Sequence, residues 1–261
     1  MVGPDHEPCE PAAGHRALTF APTRGAPTSM ISVVIPTLNA QATLAPTLAA
    51  LVPAAVDGLI REVIVADGGS TDRTAQIVEE AGARLIAGSR GRGPQLRAGA
   101  DHARFPWLLF LHADTELEPG WEREVIGFME AVDRGKRPPA AAAFRFALDD
   151  TGFSPRLVER LVAGRCRLLR LPYGDQGLLL RASLYAEIGG FAPVELMEDV
   201  ELARRLGRRR IALLRARAVT SALRYRRDGY LRRSLRNQLC LALYFLGAPI
   251  PTLGRIYRAG G

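Results

Sequence analysis

From Met30 onward, short β-branched runs alternate with helical patterns, and this alternation restricts the possible folds more than any other feature of the chain. Residues 31–35 (ISVVI) read as a first strand ended by Pro36, and 41–56 as a helix with Leu44, Leu48 and Leu51 on one face. Strand 62–66 and helix 72–81 follow, then a weak strand at 84–87, a helix near 93–103, a strand at 107–111 and a helix at 121–132. This β-α-β-α order predicts a Rossmann-like, mostly parallel sheet with helices on both faces. Such sheets hold ligands at the carboxyl ends of their strands, near a switch point. The tails PTLN (36–39), ADGGSTD (66–72) and HADTE (112–116) are therefore expected along one edge. After Ala140 the pattern changes: AAAFRFAL suggests a strand, 154–169 a helix, and LPYGDQGLLLRAS a loop entering a strand. MEDVELARRLG reads as a capped amphipathic helix, and 231–246 as a strongly apolar one.

At 261 residues and 48% apolar composition, one large domain with a well-buried core is expected, over residues 30–225. Residues 1–29 are rich in Pro, Gly and Ala and lack the apolar stretch of a secretory signal, so they read as a disordered leader. Cys9, Cys166 and Cys240 stand alone, which suits a reducing compartment and argues against a disulfide framework or a structural zinc site. The net charge of +8 hides an asymmetry. Residues 201–261 hold 15 Arg against Glu201 and Asp228, whereas 1–200 are net acidic by 5. Residues 226–261 thus form a basic, apolar helical extension, and such a tail seeks phosphate on a nucleotide, a nucleic acid or a lipid surface.

Several motifs carry chemistry. In Asp67-Gly68-Gly69-Ser70-Thr71-Asp72 the glycines let a ligand approach the backbone and Asp67 can accept from a base or ribose, while Ser70 and Asp72 serve equally as helix caps. Residues 91–99 (GRGPQLRAG) match a dinucleotide fingerprint only superficially, since Leu96 stands where its third glycine belongs. His112 and Asp114 share one strand face. Asp114 suits a hard divalent cation through oxygen, and His112 reads as a further ligand, better for Mn²⁺ than for Mg²⁺, or as a satisfied core histidine. Glu198 and Asp199 open a helix, where carboxylates are favoured by the dipole, yet they follow Leu196-Met197 as a general base aimed into a pocket would. Asp175 and Gln176, set between Gly174 and Gly177, suit a hydroxyl-rich ligand or simply a turn.

PTLN, DGGSTD, HAD, GDQG and MEDVELARRL, in this order and spacing, resemble the family 2 glycosyltransferases of GT-A fold over about residues 30–220. The closer likeness is to small bacterial enzymes with LHADT and LPYGDQG motifs, some named carotenoid-acid glycosyltransferases. The resemblance implies an inverting transferase with a nucleotide-sugar donor, usually UDP-linked, and Mg²⁺ or Mn²⁺. It implies that Pro36, Thr37 and Asn39 line the nucleoside pocket with Asp67 at the base and Gly68 beside it, and that Asp114 is the metal ligand, with His112 in place of the first Asp of the DxD motif. Asp199 would be the catalytic base with Glu198 beside it, and Asp175 and Gln176 would touch acceptor or sugar. Arg92, Arg97, Arg224 or Arg226 could hold the diphosphate. Ala40 departs from the family pattern, which usually has Glu there.

Two other readings compete. A sugar-phosphate nucleotidyltransferase would share the sheet and metal but needs a Gly-rich, Lys-bearing signature after the first strand, absent from PTLNAQATL. A nucleic-acid-binding protein would use the Arg-rich tail, which has few well-spaced aromatics for base stacking; no nucleic-acid partner is expected. Residues 239–250 (LCLALYFLGAPI) are too short to span a bilayer but suit the inner face of an anionic membrane, where they could present a lipid-like acceptor.

Overall fold

The computed structural model describes residues 30–194 and 196–258; the expected leader lies outside them. The strands are β1 (Ile31–Thr37), β2 (Ile60–Asp67), β3 (Arg84–Ala87), β4 (Trp107–Phe110), β5 (Thr115–Leu117), β6 (Ala141–Leu148), β7 (Leu178–Arg181) and β8 (Ile211–Thr220). The helices are α1 (Leu44–Ala49), α2 (Val52–Val56), α3 (Thr74–Glu80), α4 (Arg92–Asp101), α5 (Trp121–Asp133), α6 (Phe153–Leu169), α7 (Ala182–Glu187), α8 (Glu198–Leu206), α9 (Leu223–Asp228), α10 (Tyr230–Phe245) and α11 (Ile250–Arg258).

One sheet runs in the order β3-β2-β1-β4-β7-β6-β8-β5. Its first half is parallel, as the alternation predicts; β7 then pairs antiparallel with β4 and β6, and β5 antiparallel with β8. β1 is buried along its whole length, because β-branched side chains fill both sides of a central strand. Ile31, Val33 and Ile35 pack beneath α1, α2 and α5, while Val34 packs with Leu96 of α4 and Leu202 of α8 on the opposite face. A third, smaller core joins Phe146 and Leu148 of β6 to Val158 of α6 and Tyr225 of α9. Each fully buried Leu or Ile contributes about 1.5–3 kcal/mol, so these layers fix the sheet edges against one another.

Three local readings differ from the structure. Pro36 does not end β1. The strand continues to Thr37, with Pro36 opposite Ala66, because the pairing with β4 has already stopped at Val34 and the missing N–H leaves no gap there. The expected helix over 41–56 is two helices, since Pro53 cannot donate to the turn before it and its ring disfavours helix at that point. β8 had no counterpart in the sequence reading, for Arg215 and Arg217 interrupt its apolar run. The β6–β8 register shifts beside these residues, and the amides of Arg215 and Ala216 donate instead to the Glu124 carboxylate. Among the described residues no helix is long and apolar enough to cross a membrane.

Candidate active site

β2 and β3 lie to one side of β1 and β4 to the other, so the strand order reverses at β1 and a crevice opens at the carboxyl edge. β7 and β8 complete that edge: Leu178 at the start of β7 faces Phe110, and Thr220 at the end of β8 faces Thr115. The three motif tails therefore meet the GDQG loop and the α8 N-terminus there. The cleft has an outer chamber of about 840 Å³ and an inner one of about 100 Å³, continuous through Arg92, His112, Asp114 and Arg224.

Pro36, Thr37 and Asn39 line the outer chamber. Asn39 has left-handed backbone (φ 52°) and its Oδ1 accepts from the Thr71 amide at 2.9 Å, while its own amide donates to Ser70 Oγ at 2.7 Å. The first two motif loops are thus sewn together. Asp67 holds this arrangement from below: its carboxylate accepts from Thr37, from the Ser70 hydroxyl and from the amides of Gly69 and Ser70. Burial pushes its pKa up, but these hydrogen bonds outweigh it and hold the group below its ordinary range. Asp72 accepts from the Thr74 amide and hydroxyl and from the Gln41 amide, but the N-cap of α3 is Arg73, so Asp72 braces the loop ahead of the helix and is not the cap expected of it. Gly68 lies against Gln95, where a Cβ would sit 3.0 Å from the amide nitrogen. Neither Asp67 nor Gly68 lines the cleft.

Asp114 lines both chambers, with Arg224 3.9 Å away. His112 lies between them, its Nε2 buried without a partner and pressed against Gly174; a Cβ on Gly174 would fall 2.4 Å from that nitrogen. Burial and the Arg92 charge push the imidazole pKa down to about 4 against the pull of Asp114 and Asp199, leaving it neutral. Asp199 is anchored across the inner chamber. Its Oδ2 accepts from the Gly174 amide at 2.8 Å and its Oδ1 from the Val200 amide at 2.7 Å. The preceding Met197 has left-handed backbone (φ 63°). Of the three non-glycine residues in this conformation among those described, Asn39 and Met197 both line the cleft, a placement typical of functional strain.

Glu198 turns the other way. It is 1% exposed and pairs with Arg92 at 3.2 Å, without hydrogen-bond geometry at either oxygen. Burial pushes its carboxyl up to about 7 while Arg92 opposes, and Glu198 in turn holds Arg92 firmly charged. The pairing draws Glu198 toward Arg92 and away from the two chambers that Asp199 borders. Asp175 lines the inner chamber with Oδ1 buried and unpartnered, and burial pushes its carboxyl up to about 6. Gln176 does not reach the cleft: its amide donates to the Phe144 carbonyl and accepts from Tyr173 and Cys166, which corrects its assignment to sugar or acceptor. Arg97 and Arg226 are also corrected. Arg97 is exposed on α4 and donates to the Phe191 carbonyl, and Arg226 pairs with Asp150.

Several lining residues escaped the sequence reading. Gln95 is buried and its amide donates to the carbonyls of Thr37 (2.5 Å) and Ala66 (2.8 Å), closing the ends of β1 and β2. Arg233, Asn237 and Cys240 of α10 wall the inner chamber, and Ile250 and Tyr257 of α11 the outer one. The only available signal was their spacing on apolar helices. Among the described residues no group of three or more His, Cys, Asp or Glu side chains could enclose a metal. A divalent cation at Asp114 would therefore have to draw its remaining oxygens from ligand and water, whereas the Nε2 of His112 is closed off by Gly174.

Residues 32–136 match the family model described as Glycosyl transferase family 2. An undecaprenyl-phosphate 4-deoxy-4-formamido-L-arabinose transferase of Edwardsiella ictaluri is 31% identical over 163 residues, 58% of this chain and 48% of that protein. A PGL/p-HBAD biosynthesis glycosyltransferase of Mycobacterium bovis is 38% identical over 101 residues, 34% of this chain and 36% of that protein. The chain thus spans about half the length or less of these curated relatives. Glucosyl-3-phosphoglycerate synthase from Mycobacterium tuberculosis, crystallised with Mg²⁺ and UDP, superposes with a TM-score of 0.57 at 22% identity, over 85% of this chain and 80% of that one. The same synthase has been crystallised with Mn²⁺, UDP and glucosyl-3-phosphoglycerate. The fold is GT-A.

Proposed function

We propose that this chain is an inverting glycosyltransferase that moves a sugar from a nucleotide-sugar, UDP-linked, to an acceptor hydroxyl or carboxylate. One observation carries the reading: Asp114 and Asp199 both border the inner chamber, and Asp114 also faces the larger outer one. The outer chamber takes the nucleotide, with Pro36, Thr37 and Asn39 at the nucleoside and Arg90, Arg92 and Arg224 near the diphosphate. Asp67 and Gly68 act through the loop they shape.

A Mg²⁺ or Mn²⁺ held by Asp114 would offset the charge that develops on the leaving diphosphate. Arg92, kept charged by Glu198, supplies a fixed positive group at the same place. Asp199 is oriented by two backbone amides, so one lone pair is free to take the acceptor proton as its oxygen attacks the anomeric carbon from the face opposite the leaving group. Asp175 orients the sugar or acceptor beside it. The curated relatives' names include a lipid-phosphate transferase, which supports a lipid-like acceptor, and a carotenoid-type acid remains the finer expectation. The place of action is the cytoplasm, at the inner membrane face. The nucleic-acid alternative is weaker, because Arg205, Arg210, Arg226, Arg227, Arg233 and Arg236 are engaged in ion pairs.

Calorimetry with UDP, GDP and ADP, each with and without Mn²⁺ and repeated on Asp114→Ala, tests the proposal. The expected result is UDP binding that requires both the metal and Asp114. Absence of nucleotide binding under every condition overturns it.

A further inference from the structure

We propose that α6 and α10 form a docking surface for an anionic lipid membrane, which sets the inner chamber against the bilayer. The two helices lie side by side and run in the same direction. At their starts, the Tyr230 hydroxyl donates to the carboxylate of Asp150, three residues ahead of Phe153. At their ends, both meet α8 and the turn after it: Arg204 stacks over Tyr244 and Phe245, and Arg208 donates to the Leu168 carbonyl.

Each helix carries an exposed apolar stripe. On α6 it is Phe153, Leu157, Leu161 and Leu168, with Phe153 76% exposed; on α10 it is Leu231, Leu235 and Leu239, continued by Leu246 at 81%. Single apolar side chains on a surface are ordinary, but two stripes on adjacent helices mark an interaction face.

Charge decides the occupant. Arg160 and Arg167 lie along one side of the α6 stripe and Arg232 beside that of α10; among the described residues no carboxylate pairs with any of them. Residues 151–170 hold five Arg against Glu159 alone. An apolar stripe edged by arginine fits an anionic interface, with the apolar side chains in the acyl boundary and the guanidiniums at the headgroups. A second copy of the chain fits poorly, because a twofold contact through this face would crowd arginine against arginine.

The helix that docks also serves the cleft. Arg233, Asn237 and Cys240, on the other side of α10, wall the inner chamber. Docking therefore places that chamber about one helix diameter, roughly 10 Å, from the lipid. An acceptor with a polar end on an apolar tail could then meet Asp199 without leaving the interface. This last step rests on the transferase reading; the docking itself does not.

Flotation of the full chain with phosphatidylcholine vesicles, and with equimolar phosphatidylcholine and phosphatidylglycerol, tests the surface. Recruitment is expected on the anionic vesicles only, with release by salt. Each engaged arginine is worth roughly fivefold in partition, so Arg160→Gln/Arg167→Gln/Arg232→Gln should bind roughly a hundredfold more weakly. Leu161→Ser/Leu235→Ser should also float poorly; both positions are exposed, so unfolding temperature and UDP calorimetry should be unchanged. Failure to float on either vesicle, or equal flotation on both, overturns the proposal. So does a dimer in light scattering that Leu161→Ser/Leu235→Ser dissolves, since a second copy is then the occupant. A chain that floats but binds no nucleotide leaves the docking surface standing and removes the transferase reading.

Discussion

Asp175 should destabilise the protein it serves, and replacing it with Asn should make the fold more stable. Its Oδ1 is buried without a partner beside the inner chamber, and Asp199 and Asp114 add negative charge nearby. Burial foremost, and those neighbours, push its carboxyl up to about 6 from an ordinary value of 3.8, although Arg165 opposes the shift. Below pH 3.8 the group is protonated in both folded and unfolded chains and contributes nothing. Between 3.8 and about 6 the unfolded chain releases its proton while the folded chain retains it, so stability falls as pH rises. Above that window the penalty is constant. At about 1.4 kcal/mol per unit the full difference approaches 3 kcal/mol. The side chain keeps partial exposure to the chamber, and screening there reduces the expected figure to about 1–2 kcal/mol. Asp175→Asn is nearly isosteric and cannot ionise. Urea unfolding near pH 7.5 should show the variant more stable by that amount, with an unchanged slope, and the two proteins should converge near pH 3.5. A variant that is no more stable near neutral pH, or whose gain is independent of pH, refutes the reasoning. Any loss of transfer in the same variant would mark the group as one whose function costs stability.

Two further outcomes follow from named contacts. Gly99→Ala should destabilise by about 1–3 kcal/mol in urea unfolding despite the better helix propensity of Ala, because its Cβ would fall 2.2 Å from Val34 Cγ1 between α4 and β1. Asp199→Asn keeps one oxygen for the Gly174 amide but loses the base, so turnover should fall about 10²- to 10⁴-fold while calorimetric UDP affinity is unchanged. A matching loss of UDP affinity would mean that Asp199 holds the donor instead.

The parallel half of the sheet was legible because β1 and β4 are mostly apolar runs buried on both faces, and their tails had to share an edge once the topology was parallel. Asp114, Asp175, Asp199 and Arg92 could be picked out because charged or polar groups directly follow apolar runs or glycines, and all four reach the cleft. The same reasoning did not show where Gln176 and Glu198 point, although both are equally polar and equally placed in their motifs. Their neighbours decide their roles: Gln176 is drawn to the Phe144 carbonyl of β6, and Glu198 to Arg92 of α4, contacts no local pattern can contain. β5 is three residues long and β8 is interrupted by arginine, so neither gave a strand signal.

α10 exposes the deeper limit. Periodicity identifies two faces of a helix but not which one is covered, and the usual assumption buries the apolar face. Here Leu231, Leu235 and Leu239 face outward, while Arg233 is 8% exposed and Cys240 fully buried. Arg233 and Arg236 can be inside because both donate to Asp228, at 2.9 and 2.8 Å, and that carboxylate, also held by Arg227, is kept well below its ordinary pKa by the three guanidiniums. The tail's acidic exception at Asp228 is therefore what allows its basic face to turn toward the cleft and its apolar face to stay exposed.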